Sequence, residues 1–345
     1  MMRILTLLGG AVAIALAAGL WVWNTHQGQD WLLEKAAAAR LRQQFAQNQP
    51  FDGLKVFMCG TSSPIPSARR AQACVAVLAG ERLYLVDAGA GSVNTLMLAG
   101  IALERLDAVL LTHFHSDHVA ALPDVNLNSW VAGRPEPLLV YGPAGVDDVV
   151  AGFNTAYQLD REYRVAHHGF QLLPPEVGKM QARTIPTAGM LELGDLTITV
   201  FPVDHAPVVP AVGYRFDYRG RSVVVSGDST VTPTLVEAAT GADLLLQDAL
   251  SLPIIQAMEK AAGGTRLEVI LHDIQDYHAH AADLPALLAD TGVTHFAVYH
   301  LIPPPDNPLL KKIFKRDLPR GTTLTEDGMV FELAAGGRDV AVIHP

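Results

Sequence analysis

The sequence predicts an α/β fold in which two β-sheets pack face to face with helices on their outer sides, preceded by a membrane-spanning helix. Three observations support this prediction. Short apolar strands alternate with helical stretches from residue 51 onwards. Each half of this region begins with strands and continues with helices, which favours two packed sheets. Residues 1–24 are strongly apolar.

The N-terminal run predicts a membrane anchor. It contains about twenty apolar residues after Arg3, enough for a helix to cross a bilayer, and it ends at Trp21 and Trp23, where interfacial tryptophans are common. The run continues past the small residues that a signal peptidase would use, so we expect a retained anchor. We expect the main domain to be membrane-anchored and extracytoplasmic (periplasmic), although the count of basic residues leaves the orientation open.

Residues 25–50 combine leucine and alanine with charges in a helical pattern and end at Pro50, which predicts a juxtamembrane helix or spacer. The main domain then spans residues 51–345. Its first half begins with apolar runs that predict strands over 54–60, 73–80 and 82–89. The hydrophobic period then predicts, in order, a helix over 92–100, a strand over 107–112, a helix over 117–130, a strand over 137–141 and a helix over 145–160.

The second half follows residues 161–190, which contain several prolines and no clear period and are predicted to be irregular. Alternating apolar residues and turn signals then predict strands over 195–205, 212–218 and 221–229. The remaining predicted elements are, in order, a helix over 233–240, a strand over 243–249, helices over 254–262 and 281–291, and strands over 294–300, 329–333 and 339–343.

Composition limits the function. The chain is 50% hydrophobic, which allows a large core, and its net charge is −10 at pH 7. An acidic surface repels a polyanion unless basic residues are clustered, and the sequence shows no such cluster. A nucleic-acid partner is therefore not expected. Cys59 and Cys74 are either a disulfide or two reduced core thiols, and the sequence leaves both open.

The segment "THFHSDH" carries the strongest functional signal. His113 and His115 are two residues apart after an apolar strand, so their side chains point the same way. Asp117 and His118 follow on the next helix, which Ser116 caps. An isolated histidine is usually structural, but three histidines and an aspartate at this spacing predict a site for Zn²⁺ or a similar ion, and for two ions more easily than one.

Three further donors stand where other apolar strands end: His205, Asp228 and His300. Each has an ordinary structural explanation by itself, as a turn residue, a helix cap and a core histidine respectively. Together with the first cluster, they complete the ligand count for two metal ions.

These residues resemble a known family. "THFHSDH" matches the H-x-H-x-D-H signature of the metallo-β-lactamase superfamily, and the match extends through "CGTSSPIPSARRAQACVAV", "YLVDAGAG", "YGPAG" and "VSGDS". Within the superfamily, the chain is similar to the branch of ribonuclease Z and the zinc-dependent arylsulfatases. Phrases such as "WVAGRPEPLLVYGPAG" and "TEDGMVFEL" resemble the arylsulfatase side.

The resemblance implies a four-layer αββα sandwich and a hydrolase domain over 51–345. It also implies two divalent ions, with Zn²⁺ expected first and Mn²⁺ or Fe left open. One ion would be held by His113, His115 and His205. The second would be held by Asp117, His118 and His300, with Asp228 bridging the two.

Two cations that share a water lower its pKa towards neutrality, which predicts a hydrolase that uses a metal-bridging hydroxide on a sulfate ester or phosphodiester. Asp117 is expected to orient the nucleophile as well as bind metal. His278 is the candidate proton donor to the leaving group, and His280 is its competitor. Asp87 is expected to support the metal ligands by hydrogen bonding.

Three alternatives remain. A ribonuclease Z-type tRNA 3′ endonuclease is disfavoured because the short segment 206–227 leaves no room for the tRNA-gripping arm that the resemblance implies. The others are a lactonase-like hydrolase and an inactive membrane-tethered metal-binding protein. The expected partners are a small anionic ester substrate and the membrane, with a homodimer left open.

Overall fold

The computed structural model describes residues 15–47 and 49–345, and the chain divides into two compact units, Met1–Gln49 and Pro50–Pro345. In the first unit, residues 15–24 are helical. After Thr25, helix α1 spans His26–Gln47.

The prediction of a membrane-spanning helix over residues 1–24 is wrong. Residues 1–14 lie outside the described residues, and across the described part of the chain no helix combines the length and apolarity that a bilayer crossing requires. Helix α1, which follows this run, does not supply a span either, because charges are costly within a bilayer and lie along its length: Asp30, Glu34, Lys35, Arg40 and Arg42. The same finding corrects the predicted membrane partner and the membrane-anchored location, since both depended on that helix.

The second unit contains two sheets. Within the described residues, the first has eight strands in the order β15-β14-β1-β2-β3-β4-β5-β6. Its pairs are antiparallel from β15 to β3 and parallel from β3 to β6. The strands are β1 Gly53–Gly60, β2 Cys74–Ala79, β3 Arg82–Val86, β4 Leu106–Leu110, β5 Leu138–Gly142, β6 Met180–Thr184, β14 Val330–Ala334 and β15 Ala341–Ile343.

The second sheet repeats this plan with seven described strands in the order β13-β12-β11-β10-β9-β8-β7. Its pairs are antiparallel from β7 to β10 and parallel from β10 to β13. The strands are β7 Gly189–Leu193, β8 Leu196–Pro202, β9 Val212–Tyr218, β10 Arg221–Val225, β11 Leu244–Leu250, β12 His295–Ile302 and β13 Thr323–Leu324.

Helices cover the outer faces of both sheets. They are α2 Ser92–Ala99, α3 Ser116–Val119, α4 Leu122–Ala132, α5 Val146–Ala156, α6 Gln158–His168, α7 Pro233–Ala239, α8 Leu252–Ala261, α9 Arg266–Asp273, α10 Leu284–Thr291 and α11 Pro308–Lys315.

The predicted helix over 117–130 is divided in two. Pro123 stands in the first turn of α4, where its missing N–H does no harm, whereas within a continuous helix it would remove a hydrogen bond.

Side-chain alternation along the strands creates the layers. In β1, Val56 and Met58 pack in the cluster between the two sheets, whereas Phe57 and Cys59 point into the cluster beneath the helices of the first sheet. Successive side chains of a strand point to opposite faces, so a run that is apolar at every position, as over residues 56–59, is buried on both faces. The αββα sandwich that the resemblance implied is therefore the fold of this unit.

Two local features differ from what the sequence established: one alternative had been left open, and one segment was wrongly predicted. Cys59 and Cys74 form a disulfide between the neighbouring strands β1 and β2, and both residues are fully buried. Segment 161–190, predicted as irregular, contains most of α6, all of β6 and the start of β7. The edge strands β6 and β7 have partly exposed burial patterns, so their hydrophobic period is weak.

Candidate metal centre

The predicted metal ligands meet where several strands end. His113 and His115 follow β4, Asp228 follows β10, and His205 follows β8. In open α/β sheets, the carboxyl ends of parallel strands are the usual place for a functional site. Side chains that lie far apart in the sequence thereby reach one point between the sheets.

His300 reaches this point from within β12 because the strand is bulged there. Asp248 of β11 pairs with Tyr299 and Ala249 pairs with Leu301, so His300 is the extra residue. Its φ of 44° is unusual for a histidine. Bulges redirect side chains near functional sites, and strained backbone is retained there when the surroundings enforce it.

Asp228 lies at the centre of the group. Its Oδ2 is 3.3 Å from Nε2 of His118, 3.8 Å from Nε2 of His205 and 3.9 Å from Nε2 of His113. Its Oδ1 is 3.4 Å from Nδ1 of His300. Asp228 therefore lies between the imidazoles, as a bridging ligand would.

The predicted ligands fall into two groups, each with ligand atoms within 4.8 Å of one another. The members of the first are His113, His115, His205 and Asp228. Those of the second are Asp117, His118 and His300. The division is the same as the one that the resemblance implied. Ligation by these residues stays a prediction.

The donor atoms fit a cation. In the described part of the chain, four buried atoms at this point have no hydrogen-bond partner: His113 Nε2, His118 Nε2, His300 Nδ1 and Asp228 Oδ1. A buried polar atom without a partner costs about 1–3 kcal/mol. Four such atoms around one point are explained if metal ions bind them, and imidazole nitrogens with carboxylate oxygens suit Zn²⁺.

Hydrogen bonds orient the rings. Oδ2 of Asp87 lies 2.8 Å from Nδ1 of His118 and also accepts a hydrogen bond from Oγ1 of Thr112. Nδ1 of His205 lies 3.0 Å from the carbonyl oxygen of Tyr277, to which it donates. Both contacts leave Nε2 of the ring for the centre, which is the arrangement found around metal-binding histidines.

Burial sets the charge of the rings. It lowers the pKa of His113 well below its usual value and the pKa of His205 to about 4, so both are neutral near pH 7. Burial alone would raise the pKa of Asp228, but His300 and His118 hold it well below its usual range. The neutral rings of His113 and His205 and the ionised Asp228 are in the protonation states that metal binding requires. Burial alone would lower the pKa of His118 and His300, but Asp228 and Asp117 beside them raise both, so a metal ion bound by these two rings would displace protons.

A third group adds a residue that the sequence did not reveal. Asp248 and His278 lie with Asp228 and His300 in another cluster of potential ligand atoms. Nδ1 of His278 is 2.9 Å from Oδ2 of Asp248. Asp248 is fully buried in β11, and a carboxylate within the apolar run "DLLLQDA" is the signal that could have identified it.

The two candidate proton donors differ in their surroundings. His278 is 7% exposed and lines a cleft of about 430 Å³ together with Asp117 and Asp228. Nε2 of His280 instead donates to the carbonyl oxygen of Gln275, 2.8 Å away. The geometry thus favours His278 over His280 as the proton donor.

Comparison with known proteins agrees with this site. The model of the Beta-lactamase superfamily domain matches residues 82–301, the span that contains all of the predicted metal ligands. The chain belongs to the metallo-β-lactamase superfamily. A curated relative in this superfamily, Ribonuclease Z of Mycobacterium marinum, is 35% identical over 253 residues, which cover 72% of this chain and 87% of that protein.

Solved structures from the superfamily show the same fold. The metallo-beta-lactamase fold protein YhfI from Bacillus subtilis aligns with a TM-score of 0.58 and 22% identity, covering 81% of this chain and 99% of that chain. The short form of human tRNase Z aligns with a TM-score of 0.56 and 19% identity, covering 81% and 98%.

The relatives in the metallo-β-lactamase superfamily correct two predictions. Their name, Ribonuclease Z, supports the ribonuclease Z alternative better than the arylsulfatase-like one. The expectation that nucleic acid is not a partner is wrong for the same reason. It relied on the net charge of the whole chain, whereas divalent ions would supply positive charge locally.

Proposed function

We propose that the chain is a phosphodiesterase of the ribonuclease Z type, which uses two Zn²⁺ ions to hydrolyse a phosphodiester bond in RNA. The proposal is supported by the names of the curated relatives. The single observation that carries it is the group of buried, unpartnered donor atoms around Asp228, with His278 beside them in an open cleft.

In this proposal, some of the site residues bind the metal ions and others act on the substrate. His113, His115 and His205 would hold one ion, and Asp117, His118 and His300 the other, with Asp228 between them. When bound, the two ions supply Lewis acidity, which lowers the pKa of a water and offsets negative charge on the phosphate.

The side chains around the ions provide orientation and a proton. Asp117 lines the cleft and is placed to accept a hydrogen bond from the attacking water. His278 lines the same cleft, and Nδ1 of its ring lies 2.9 Å from Oδ2 of Asp248. Burial raises the pKa of Asp248 well above its usual range and lowers the pKa of His278 to about 4, so the protonated carboxyl group donates to Nδ1 and the neutral ring carries its own proton on Nε2. Nε2 would give this proton to the leaving oxygen while Nδ1 takes the proton of Asp248. A phosphodiester is thereby split into a phosphomonoester and an alcohol.

The test uses the full chain loaded with zinc, a labelled transfer-RNA precursor and bis(p-nitrophenyl) phosphate. Cleavage of both, lost in His115→Ala, is the expected result. p-Nitrophenyl sulfate serves as the control ester and should not be hydrolysed. Failure to cleave either phosphodiester, or equal activity in His115→Ala, would overturn the proposal.

A further inference from the structure

Positive charge is concentrated in residues 308–320, which comprise helix α11 and the turn that follows it. Five of the residues in this range are Lys or Arg and one is Asp, although the whole chain has a net charge of −10. Three of the five lie in the helix and two follow it. The expectation that no basic cluster exists therefore does not hold for this segment.

Ion pairs within the fold account for only two of the five basic residues. Lys311 pairs with Glu326, and Nε of Arg316 is 3.6 Å from Oδ2 of Asp317. The other three, which we call the basic face, are exposed and form no ion pair within the described part of the chain: Lys312, Lys315 and Arg320. Their charges are therefore available to a partner.

Helix α11 is anchored, so the basic face has a fixed position. Phe314 is fully buried and packs in an apolar cluster with Leu301 of β12. At the other end of the helix, the side chain of Asn307 caps the first turn with a hydrogen bond to a backbone N–H. Lys312 and Lys315 are exposed to solvent, away from this buried side.

The basic face lies near the predicted metal centre. Strand β12 carries His300 and ends at Ile302, which lines the cleft. Even a fully extended connection from Ile302 to Pro308 would place the start of α11 within about 22 Å of the cleft. Oδ1 of Asp306 also accepts a hydrogen bond, 2.8 Å long, from Ser67 in the loop after β1, and earlier residues of that loop line the cleft. A polymer bound at the metal centre can therefore extend to the basic face.

The chemistry of the basic face fits the backbone of a nucleic acid. Lys and Arg side chains neutralise phosphates and release counterions, and such contacts position a strand without reading its sequence. The eight residues of α11 span about 12 Å, long enough to contact several phosphates. Helix C-termini favour nearby cations, which explains Lys315 but not Arg320, which lies outside the helix. A polyanion explains the whole face.

We propose that the basic face binds the phosphate backbone of the RNA whose scissile phosphodiester lies at the metal centre. The inference rests on the proposed function and specifies its substrate as an RNA that extends well beyond the bond to be cleaved. Lys312, Lys315 and Arg320 contact phosphates away from that bond, and they position the RNA without recognising its bases.

The test measures binding of a fluorescently labelled mature transfer RNA, which has no trailer to cleave, to the zinc-loaded full chain. Fluorescence anisotropy gives Kd at several salt concentrations between about 50 and 200 mM. The double substitution Lys312→Gln/Lys315→Gln should reduce the slope of log Kd against log salt by about 1.4–1.8, because each lost phosphate contact removes roughly 0.7–0.9. The variant should also lose about tenfold more kcat/KM with a transfer-RNA precursor than with bis(p-nitrophenyl) phosphate, which is too small to reach the face.

The matched control removes the same charge from the opposite end of the first sheet. Arg105 precedes β4, whose other end leads to His113. Arg338 lies in the turn between β14 and β15, and the end of β14 pairs with the start of β1. Arg105→Gln/Arg338→Gln should keep the salt dependence of the unsubstituted protein, and thermal melting should show that both double variants are folded.

An acidic protein is the other partner that a basic face fits, so poly-L-glutamate serves as a competitor. Unlabelled transfer RNA should displace the labelled RNA at a lower concentration of charge than poly-L-glutamate does, because only the RNA also places a phosphate at the metal centre. Stronger displacement by poly-L-glutamate would refute the proposal.

The outcomes separate this inference from the proposed function. If bis(p-nitrophenyl) phosphate and the precursor are cleaved but the two double variants show the same salt dependence, the phosphodiesterase stands and the basic face is refuted. Failure to bind transfer RNA would refute the face as well. If neither phosphodiester is cleaved, the proposed function fails, and this inference fails with it.

Discussion

His278 and Asp248 form a buried hydrogen-bonded pair, with Nδ1 of the imidazole 2.9 Å from Oδ2 of the carboxyl group, whose pKa burial raises well above its usual range. Oδ2 of Asp228 is 4.0 Å from the same nitrogen. Oδ1 of Asp248 accepts a hydrogen bond from the side chain of Gln247. The pair therefore fixes the orientation of an imidazole at the mouth of the predicted metal centre, which is what a proton donor to a leaving group requires.

His278→Ala should slow hydrolysis according to the leaving group. An alkoxide needs a proton as it departs, so kcat for a substrate with an alkyl leaving group should fall about 10²- to 10⁴-fold. p-Nitrophenolate departs without a proton, so the loss with bis(p-nitrophenyl) phosphate should be much smaller. Steady-state kinetics with both substrates measure the difference.

Metal content provides the control for this substitution. His278→Ala should retain two zinc ions per chain, measured by elemental analysis. His280→Ala is the matched variant, because the His280 ring is engaged by the carbonyl oxygen of Gln275 and should give no leaving-group dependence. Equal losses with both leaving groups, or loss of zinc from His278→Ala, would contradict the role of a proton donor.

His115→Ala should remove metal and activity together. The ring lies in the first ligand group, where Nδ1 of His115 is 3.4 Å from Nε2 of His205. Zinc stoichiometry should fall below two per chain, with phosphodiester cleavage reduced at least about 10³-fold, since the ions supply most of the electrostatic stabilisation. The exposed His344 provides the control, since His344→Ala should bind zinc normally. Full zinc occupancy in His115→Ala would refute its assignment.

Some residues of this centre could be predicted from the sequence, and others could not. His113 and His115 were recognisable because a contiguous motif carries both. His300 was recognisable because it ends an apolar run and because its order along the chain matches the family, but nothing local reveals the bulge within β12 that turns it towards Asp228. Asp248 was missed because its function arises only when the segment with His278 folds over β11.

The secondary structure shows the same difference: elements with a strong local pattern were predicted, and others were not. Strongly periodic strands such as β9, Val212–Tyr218, were predicted to the residue, because buried alternation is a local property. Helix α9 was not predicted, although it forms the wall of the cleft. The membrane-spanning helix was inferred from the apolar run and from Trp21 and Trp23, but these signals concern composition and do not establish a membrane-spanning helix.

Asp87→Asn should weaken zinc binding without unfolding the protein. Asp87 accepts hydrogen bonds from the backbone and side chain of Thr112 and lies 2.8 Å from Nδ1 of His118. An amide of the same shape cannot accept all of these bonds, so the ring loses its orienting partner and the affinity for zinc should fall about 10- to 100-fold. Chelator competition measures the dissociation constant. Asp107→Asn, at an exposed carboxylate of β4, should leave it unchanged, and an unchanged constant in Asp87→Asn would contradict the supporting role.

Gly89→Ala should destabilise the fold and disturb the second ligand group. A Cβ at position 89 would lie 2.2 Å from the backbone oxygen of Asp117 and 2.6 Å from the backbone carbon of Gln72. Real atoms do not approach this closely, so the segment carrying Asp117 must shift, and the free energy of unfolding should fall by about 1–3 kcal/mol or more. Zinc content should fall as well, because His118 moves with Asp117.

Gly152→Ala separates this steric effect from the general effect of replacing glycine. Gly152 lies within α5, and a Cβ there would meet no atom within 4 Å. Because alanine is favoured over glycine inside a helix by about 0.8–1.0 kcal/mol, this variant should be more stable than the unsubstituted protein and bind zinc normally. Urea unfolding compares the three proteins. If Gly89→Ala unfolds at the same urea concentration as the unsubstituted protein and keeps two zinc ions, the backbone between β3 and α2 is not packed against Asp117 in this way.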